Sequence, residues 1–252
     1  MNNPWQYDET IQVGTDYRDE NEVRVYDRRM QTLRDVGGEV KDIQRALLLS
    51  SDSIVWEIGT GTGECALALA PAVRHVYASD VSPAMLEYAR RKAEQRGVSS
   101  VTFEKGGFLS GFRPDHPVDG IITQLALHHL PDFWKSRALD VITGSLRPGR
   151  RLYLRDVVFP STTDDYDVFF KTVVDGVRSQ AGDEMAQRTI QHIKTEFSTL
   201  DWILEGMMIR SGLEIVEKSS TGFVSVYVCE RITDGETAKS GNTVPFRPTR
   251  FS

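Results

Sequence analysis

The sequence predicts an α/β protein built on a doubly wound, mostly parallel sheet, and three observations predict it. Short apolar runs alternate with segments of helical period between residues 54 and 211. The first such run ends in Glu57-Ile-Gly-Thr-Gly-Thr-Gly63, a turn that leads straight into an apolar helix. The last two runs, residues 213–218 and 223–229, are separated only by Ser219-Ser-Thr-Gly222. That spacing suits an antiparallel pair closing one edge of the sheet. Five strands plus this pair make seven, with the last one antiparallel.

The elements follow in order. Residues 1–19 are polar and aromatic, with Gly14 breaking any pattern; residues 19–36 and 40–49 then recur at helical spacing. Ser51 and Asp52 punctuate before a strand at 54–58. The helix after the glycines runs from 64 to about 70, where Pro71 ends it. A second strand, 75–79, ends at Asp80. Ser82-Pro-Ala-Met-Leu-Glu puts a capping serine before proline at the first helical position, and this helix continues to Gly97. Strands at 101–104 and 118–123 follow, then a helix at 131–146 stopped by Arg147-Pro-Gly-Arg150, and a fifth strand at 151–158. Residues 163–195 have helical period and interrupt the alternation. Ser198-Thr-Leu-Asp-Trp202 caps a further helix to about 211. The domain reading is an N-terminal helical segment (1–50), one core (51–230) with a helical insertion (161–197), and a disordered tail (231–252) of Gly, Pro, Thr and Ser without periodicity.

Composition narrows the function classes. The chain has 252 residues, 40% apolar and 26% charged, within the range of one ordinary globular domain. The net charge of −6 builds no basic field, so no nucleic-acid partner is expected. Cys65 and Cys229 sit in apolar contexts without zinc or C-x-x-C spacing; they read as buried thiols, and no metal is expected. Met1-Asn-Asn-Pro-Trp-Gln lacks a basic start followed by an apolar run, so no signal peptide is expected. Apolar stretches fall short of the roughly 18 residues that a membrane span needs. A cytoplasmic monomer or homodimer without membrane contact is the expectation.

Each glycine of the turn can let the backbone bend sharply or approach a ligand, and the helix that follows presents unpaired N–H groups. The spacing is G-x-G-x-G with Glu57 just before it, whereas a dinucleotide turn is G-x-G-x-x-G. An acid there repels a pyrophosphate but suits an ammonium or a sulfonium. With Asp80, Ser82-Pro-Ala-Met-Leu, the segment 119–129 and Leu146-Arg-Pro-Gly-Arg150 in the same order, the chain resembles the class I S-adenosylmethionine-dependent methyltransferases of small-molecule type, which includes enzymes like those of menaquinone biosynthesis. The resemblance implies a Rossmann-like sheet with a helical N-terminal lid and S-adenosyl-L-methionine as cofactor. It places Glu57, Gly59, Thr60, Gly61, Gly63, Asp80, Val81, Met85, Gly107, Phe108, Gln124 and Tyr26 against that cofactor. Asp80 then accepts the ribose hydroxyls, and Glu57 lies near the methionyl amine. Gly107-Phe108 stands where many relatives carry an aspartate for the adenine amino group; that acid is missing.

Plainer roles stay open beside these. Asp80 could instead complement a helix dipole and Glu57 cap a turn, while Met85 is as well placed to pack in the core. Gln124-Leu-Ala-Leu-His-His-Leu130 follows strand four, where an imidazole could remove an acceptor proton. Adjacent histidines cannot face the same way; His128 is expected in the crevice and His129 in structural hydrogen bonds. Asp156 beside Arg155 either binds substrate, orients a histidine or forms a salt bridge. Tyr17 and Tyr26 are candidates to touch the cofactor, and Phe169, Phe170, His192 and Trp202 to wall the acceptor pocket. The expected reaction is methyl transfer to a small molecule by in-line displacement, catalysed chiefly by positioning. The alternatives are an S-adenosylmethionine-binding regulatory protein without catalysis and an NAD-dependent oxidoreductase. Arsenic methylation lacks its cysteine set, and nucleic-acid methylation lacks the Asn/Asp-Pro-Pro-Tyr pattern after strand four.

Overall fold

Val55, Trp56 and Ile58 have no exposed surface because β1 (Ile54–Ile58) runs through the middle of the sheet. It pairs in parallel with β2 (His75–Asp80) on one side and β4 (Val118–Gln124) on the other. All seven residues of β4 are buried, as expected for a parallel strand covered on both faces. This is a computed structural model, and it describes residues 4–11, 23 and 35–233. Most of the expected helix at 19–36 lies outside the described residues, and so does the tail beyond 233.

Continuing outward, β3 (Val101–Lys105) pairs with β2, while β5 (Leu146–Phe159) pairs with β4. β6 (Thr199–Leu200), β7 (Leu213–Thr221) and β8 (Val224–Arg231) complete the strands. The order is β3-β2-β1-β4-β5-β8-β7, with β8 antiparallel to both its neighbours and β6 attached to β5. The expected doubly wound sheet with an antiparallel last strand is therefore what forms. Strand order reverses between β1 and β4, and a crevice opens at their carboxyl ends.

The helices split between the faces because side chains alternate along each strand. Val55 of β1 packs with α1 (Val36–Ala46), α2 (Glu64–Leu69) and α3 (Pro83–Arg96). Trp56 and Ile58, pointing the other way, pack with α4 (Asp132–Ser145) and α6 (Asp201–Arg210). The helix ends follow the local sequence: Asp35 caps α1 through the Gly38 N–H, and the Ser82 hydroxyl caps α3 through the Met85 N–H. Gly97 ends α3 in the left-handed region. α5 (Tyr166–Thr195) is the expected insertion, broken at Gly182 by backbone angles of 85° and 175°.

Three boundaries differ from expectation. β5 begins at Leu146, which pairs with Val118 before a register shift; the expected turn at 147–150 survives as an exposed irregularity within the strand. The buried Asp119 holds that irregularity, accepting from Arg147 at 2.5 Å and from the Ile54 N–H at 2.9 Å. β6 was not expected: two residues of the loop after α5 add onto Val158 and Phe159. As a result α6 starts at Asp201, with Leu200 rather than Ser198 at its cap.

Gly63 shows how tightly the glycine turn sits. Its φ is 77°, and a Cβ there would lie 2.9 Å from Phe103 and 3.0 Å from Ala89. Gly97 also has positive φ, 65°, but nothing lies within 4 Å. Gly97→Ala should cost about 1–2 kcal/mol of backbone strain. Gly63→Ala should cost that plus roughly 1–3 kcal/mol of overpacking. Urea midpoints of the two variants check this; equal losses would mean that the Phe103–Ala89 wall yields freely.

Candidate active site

The turn after β1 is fixed from below by the end of β2. The Gly59 and Thr60 N–H groups both donate to the Ser79 carbonyl (2.9 and 3.0 Å), and the Gly61 N–H donates to Asp80 Oδ2 at 2.8 Å. Asp80 Oδ1 accepts from the Ser82 N–H at 2.8 Å. Burial pushes the Asp80 carboxyl above its ordinary range; the N–H groups of Ser82, Gly61 and Val81 oppose that rise, and the nearby charge of Glu9 adds to it. Gly59 is required by shape, since a Cβ would come within 2.5 Å of Ala126 Cβ.

Above this floor is a crevice of about 790 Å³ including its open mouth, within the size range of a small-molecule site. Of the cofactor candidates, Gly59, Gly61, Asp80, Val81, Met85, Gly107, Phe108 and Gln124 line it together. Glu57, Thr60 and Gly63 do not line it. Glu57 is buried and accepts from the Thr60 hydroxyl at 2.6 Å, so it stands beneath the turn. Tyr26 and Tyr17 lie outside the described residues. Both side-chain amide atoms of Gln124 are buried without a hydrogen-bond partner among the described residues. A buried amide left unsatisfied is costly, and this one lines the cavity. Leu125, next to it, is held at a φ of 53° while its N–H donates to the Arg155 carbonyl at 2.7 Å.

The loop after β3 reveals a residue that local motifs could not announce. Glu9 reaches across from the N-terminal segment and accepts from the N–H groups of Phe108 (2.8 Å), Leu109 (3.0 Å) and Ser110 (2.7 Å), and from the Ser110 hydroxyl. Arg113 holds the opposite pole of the same loop, donating to the carbonyls of Gly107 (2.9 Å), Phe108 (2.7 Å) and Ser110 (3.2 Å). A carboxylate therefore does stand beside Gly107 at the cavity wall, but it comes from residue 9. Ile11 lines the cavity beside it, and Gln6 donates to the Leu109 carbonyl at 3.0 Å.

The histidines are arranged the reverse of expectation. His129 lines the cavity. His128 is buried behind it because two carboxylates claim its ring: Asp156 at Nδ1 and Glu196 at Nε2, 3.0 Å away. Asp156 also accepts from the His128 N–H at 3.1 Å and the Val157 N–H at 2.7 Å. Glu196 Oε2 is shared further with His192 Nδ1 at 3.0 Å and His129 Nδ1 at 3.5 Å. It is brought there when the Phe197 N–H donates to the His128 carbonyl at 3.0 Å, while buried Lys135 donates to the Phe197 carbonyl. Of the expected pocket walls, Trp202 is exposed and Phe170 packs on Phe159, Tyr166 and Phe169. None of Phe169, Phe170, His192 and Trp202 lines the crevice.

Burial alone would lower the His128 pKa, but Asp156 and Glu196 outweigh it and raise it to about 9. Burial, helped by the His128 charge, lowers His129 to about 4. Burial would raise Asp156 and Glu196, yet the hydrogen bonds and charges of the imidazoles hold both below the usual carboxylate range. The signs then set a pH profile. The stabilisation from His128 is complete below its unfolded value of 6.5 and is lost as pH rises through about 9. His129 costs nothing above 6.5, but stability falls as pH drops from there toward 4, because only the unfolded chain takes that proton. The carboxylates deepen the acid loss. Urea midpoints across pH 5–10, in chelator, should peak near pH 6.5 and decline on both sides; a flat alkaline limb would show that His128 carries no such proton.

Comparison with known proteins agrees with this geometry. A family model described as a methyltransferase domain matches residues 55–149, from β1 to the irregularity in β5. An uncharacterized methyltransferase of Anoxybacillus flavithermus is 31% identical over 153 residues, covering 58% of this chain and 70% of the relative. The uncharacterized methyltransferase YrrT of Bacillus subtilis is 29% identical over 220 residues, covering 86% and 89%. Among solved structures, an S-adenosylmethionine-dependent methyltransferase from Clostridium acetobutylicum shares the fold at a TM-score of 0.63, with 11% identity and coverage of 84% and 98%. With its glycine turn, Asp80 and strand order in place, the chain belongs to the class I S-adenosylmethionine-dependent methyltransferases.

Proposed function

We propose that this protein transfers a methyl group from S-adenosylmethionine to a small-molecule acceptor by in-line displacement. The observation that supports it most is the convergence on one cavity, at the switch point of the sheet, of the glycine turn, Asp80 and a Gln124 amide without a partner among the described residues. The fit is chemical as well as spatial. The glycines keep the floor open, Asp80 offers a carboxylate already oriented by backbone N–H groups, and Gln124 offers both an N–H donor group and a carbonyl acceptor. When bound, the cofactor supplies a methyl carbon activated by a sulfonium. A dinucleotide fits less well, since Glu9 and Asp80 at the wall would face its pyrophosphate with like charge.

The chain's own part is to position and enclose. Asp80, Met85 and the turn orient one side of the cavity, while His129 and Leu130 form its inner wall. Glu9 and Ile11 cover it from the N-terminal segment and limit water. His129, kept neutral, accepts or donates one hydrogen bond to an acceptor but is a weak base. His128 and Asp156 act as positioning residues behind that wall. The acceptor is proposed to be a small metabolite rather than nucleic acid, given the net charge of −6.

Asp80→Ala should weaken S-adenosylmethionine binding by about 1–3 kcal/mol through loss of charged hydrogen bonds, read by calorimetry. Unchanged affinity would reduce Asp80 to a helix-terminal acid. For the reaction itself, labelled methyl transfer to a metabolite panel should give a product. Binding of NAD, with S-adenosylmethionine and its demethylated product both ignored, would overturn the reading. Tight binding with no transfer to any acceptor would favour the regulatory alternative.

A further inference from the structure

We propose that His128, His129 and Glu196 form a site for a divalent metal ion of the kind that zinc represents, set into the inner wall of the cavity. One ligand atom from each lies within 4.8 Å of the others. Tetrahedral coordination at about 2.0–2.1 Å places ligand atoms roughly 3.3 Å apart. Glu196 Oε2 lies 3.0 Å from His128 Nε2 and 3.5 Å from His129 Nδ1, close to that spacing on either side. Two imidazoles and a carboxylate are donors that zinc and its neighbours favour, whereas magnesium and calcium prefer all-oxygen sets.

The surroundings are built as a metal site requires. A ligating histidine normally gives its other nitrogen to a carboxylate, which fixes the ring and its tautomer. His128 does so through Asp156, itself anchored by the N–H groups of His128 and Val157. Glu196 is set by the bond from the Phe197 N–H to His128 and by Lys135 on the Phe197 carbonyl. His192, with Nε2 on the Ser198 hydroxyl, aims Nδ1 at Glu196 Oε2 from 3.0 Å and is available either to steady that carboxylate or to become a fourth ligand. His129 is 30% exposed and lines the cavity, so an open coordination position would face the cavity. Three protein ligands with one open position is the pattern of catalytic rather than structural zinc. An acceptor oxygen there would be polarised by the ion; this consequence rests on the methyl-transfer reading, and the site itself does not.

The experiment uses the full chain without a polyhistidine tag, stripped with chelator and titrated by calorimetry with zinc, manganese and magnesium in the absence of cofactor. One zinc per chain should bind, manganese more weakly, and the thermal midpoint should rise on loading. His129→Ala and Glu196→Gln should each weaken zinc binding at least tenfold, with His116→Ala, on the surface away from the cluster, unchanged. His129→Ala guards against a folding failure in Glu196→Gln, and circular dichroism confirms that each variant is folded. Absence of stoichiometric binding by the unmodified chain, or binding equally strong in both folded variants, overturns the site. Because cofactor is absent throughout, that result leaves the methyl-transfer reading untouched; if the site stands, zinc-dependent transfer from labelled cofactor measures its use.

Discussion

The N–H groups of Gly59, Thr60 and Gly61 all point at the end of β2, two onto the Ser79 carbonyl and one onto the Asp80 carboxylate, and most of the cavity follows from that. These bonds require left-handed backbone at Gly59 and Gly61, with φ of 76° and 55°. A side chain at Gly59 would meet Ala126, the loop after β4. The turn thus sets the distance between the first and fourth strand ends while it orients the carboxylate of the second. Three of the crevice walls are placed by one tight loop, which is why so few residues suffice to mark the site.

The histidine cluster obeys a different logic. Two carboxylates are buried around an imidazole that they hold protonated, and such a group stabilises little in net terms because desolvation offsets the Coulombic attraction. Buried apolar residues of similar volume would hold the α5–β6 connection to the sheet at least as well. What the cluster does that apolar packing would not is fix the ring of His129 at the cavity wall, with Glu196 on one side and the cationic His128 on the other. Its cost is comprehensible as the cost of a defined polar wall. A divalent ion would hold the same geometry with positive charge supplied from outside the chain.

The sheet and the placement of the glycine turn and Asp80 are legible in the sequence because each depends on a contiguous pattern. β1 and β2 end where the glycines and Asp80 predict, and Ser82 and Gly97 bound α3 as local capping chemistry requires. Local sequence makes 147–150 a turn outside β5, because the bond from Arg147 to Asp119 is a contact made across 28 positions. β6 escaped for a similar reason: two residues pair with β5 only after the insertion has folded back. Glu9 carries no motif at all. Its meaning comes from three N–H groups about a hundred residues away, and no window of the sequence contains both. His128 and His129 were recognised as a pair, but which one faces the cavity is decided by Asp156 and Glu196, 28 and 68 positions beyond His128.

This division has a functional counterpart. The side of the cavity formed by the glycine turn, Asp80 and Met85 is assembled by neighbours in sequence from β1 to α3, so its geometry can be carried intact through large changes elsewhere. The opposite wall draws on residue 9, the loop after β4, the end of β5 and the end of α5, and its polarity depends on how those separate segments meet. α5 lines none of the cavity; its final turn and the Glu196 that follows reach only the histidines of the wall, and Gly182 breaks the helix before that turn. Changes along the exposed body of α5 can therefore leave Glu196 in place, whereas a shift of one residue near 192–198 would move it away from both His128 and His129. The polarity of the His129 wall is therefore sensitive to that short segment, while the glycine turn and Asp80, built on the other side of the cavity, are not.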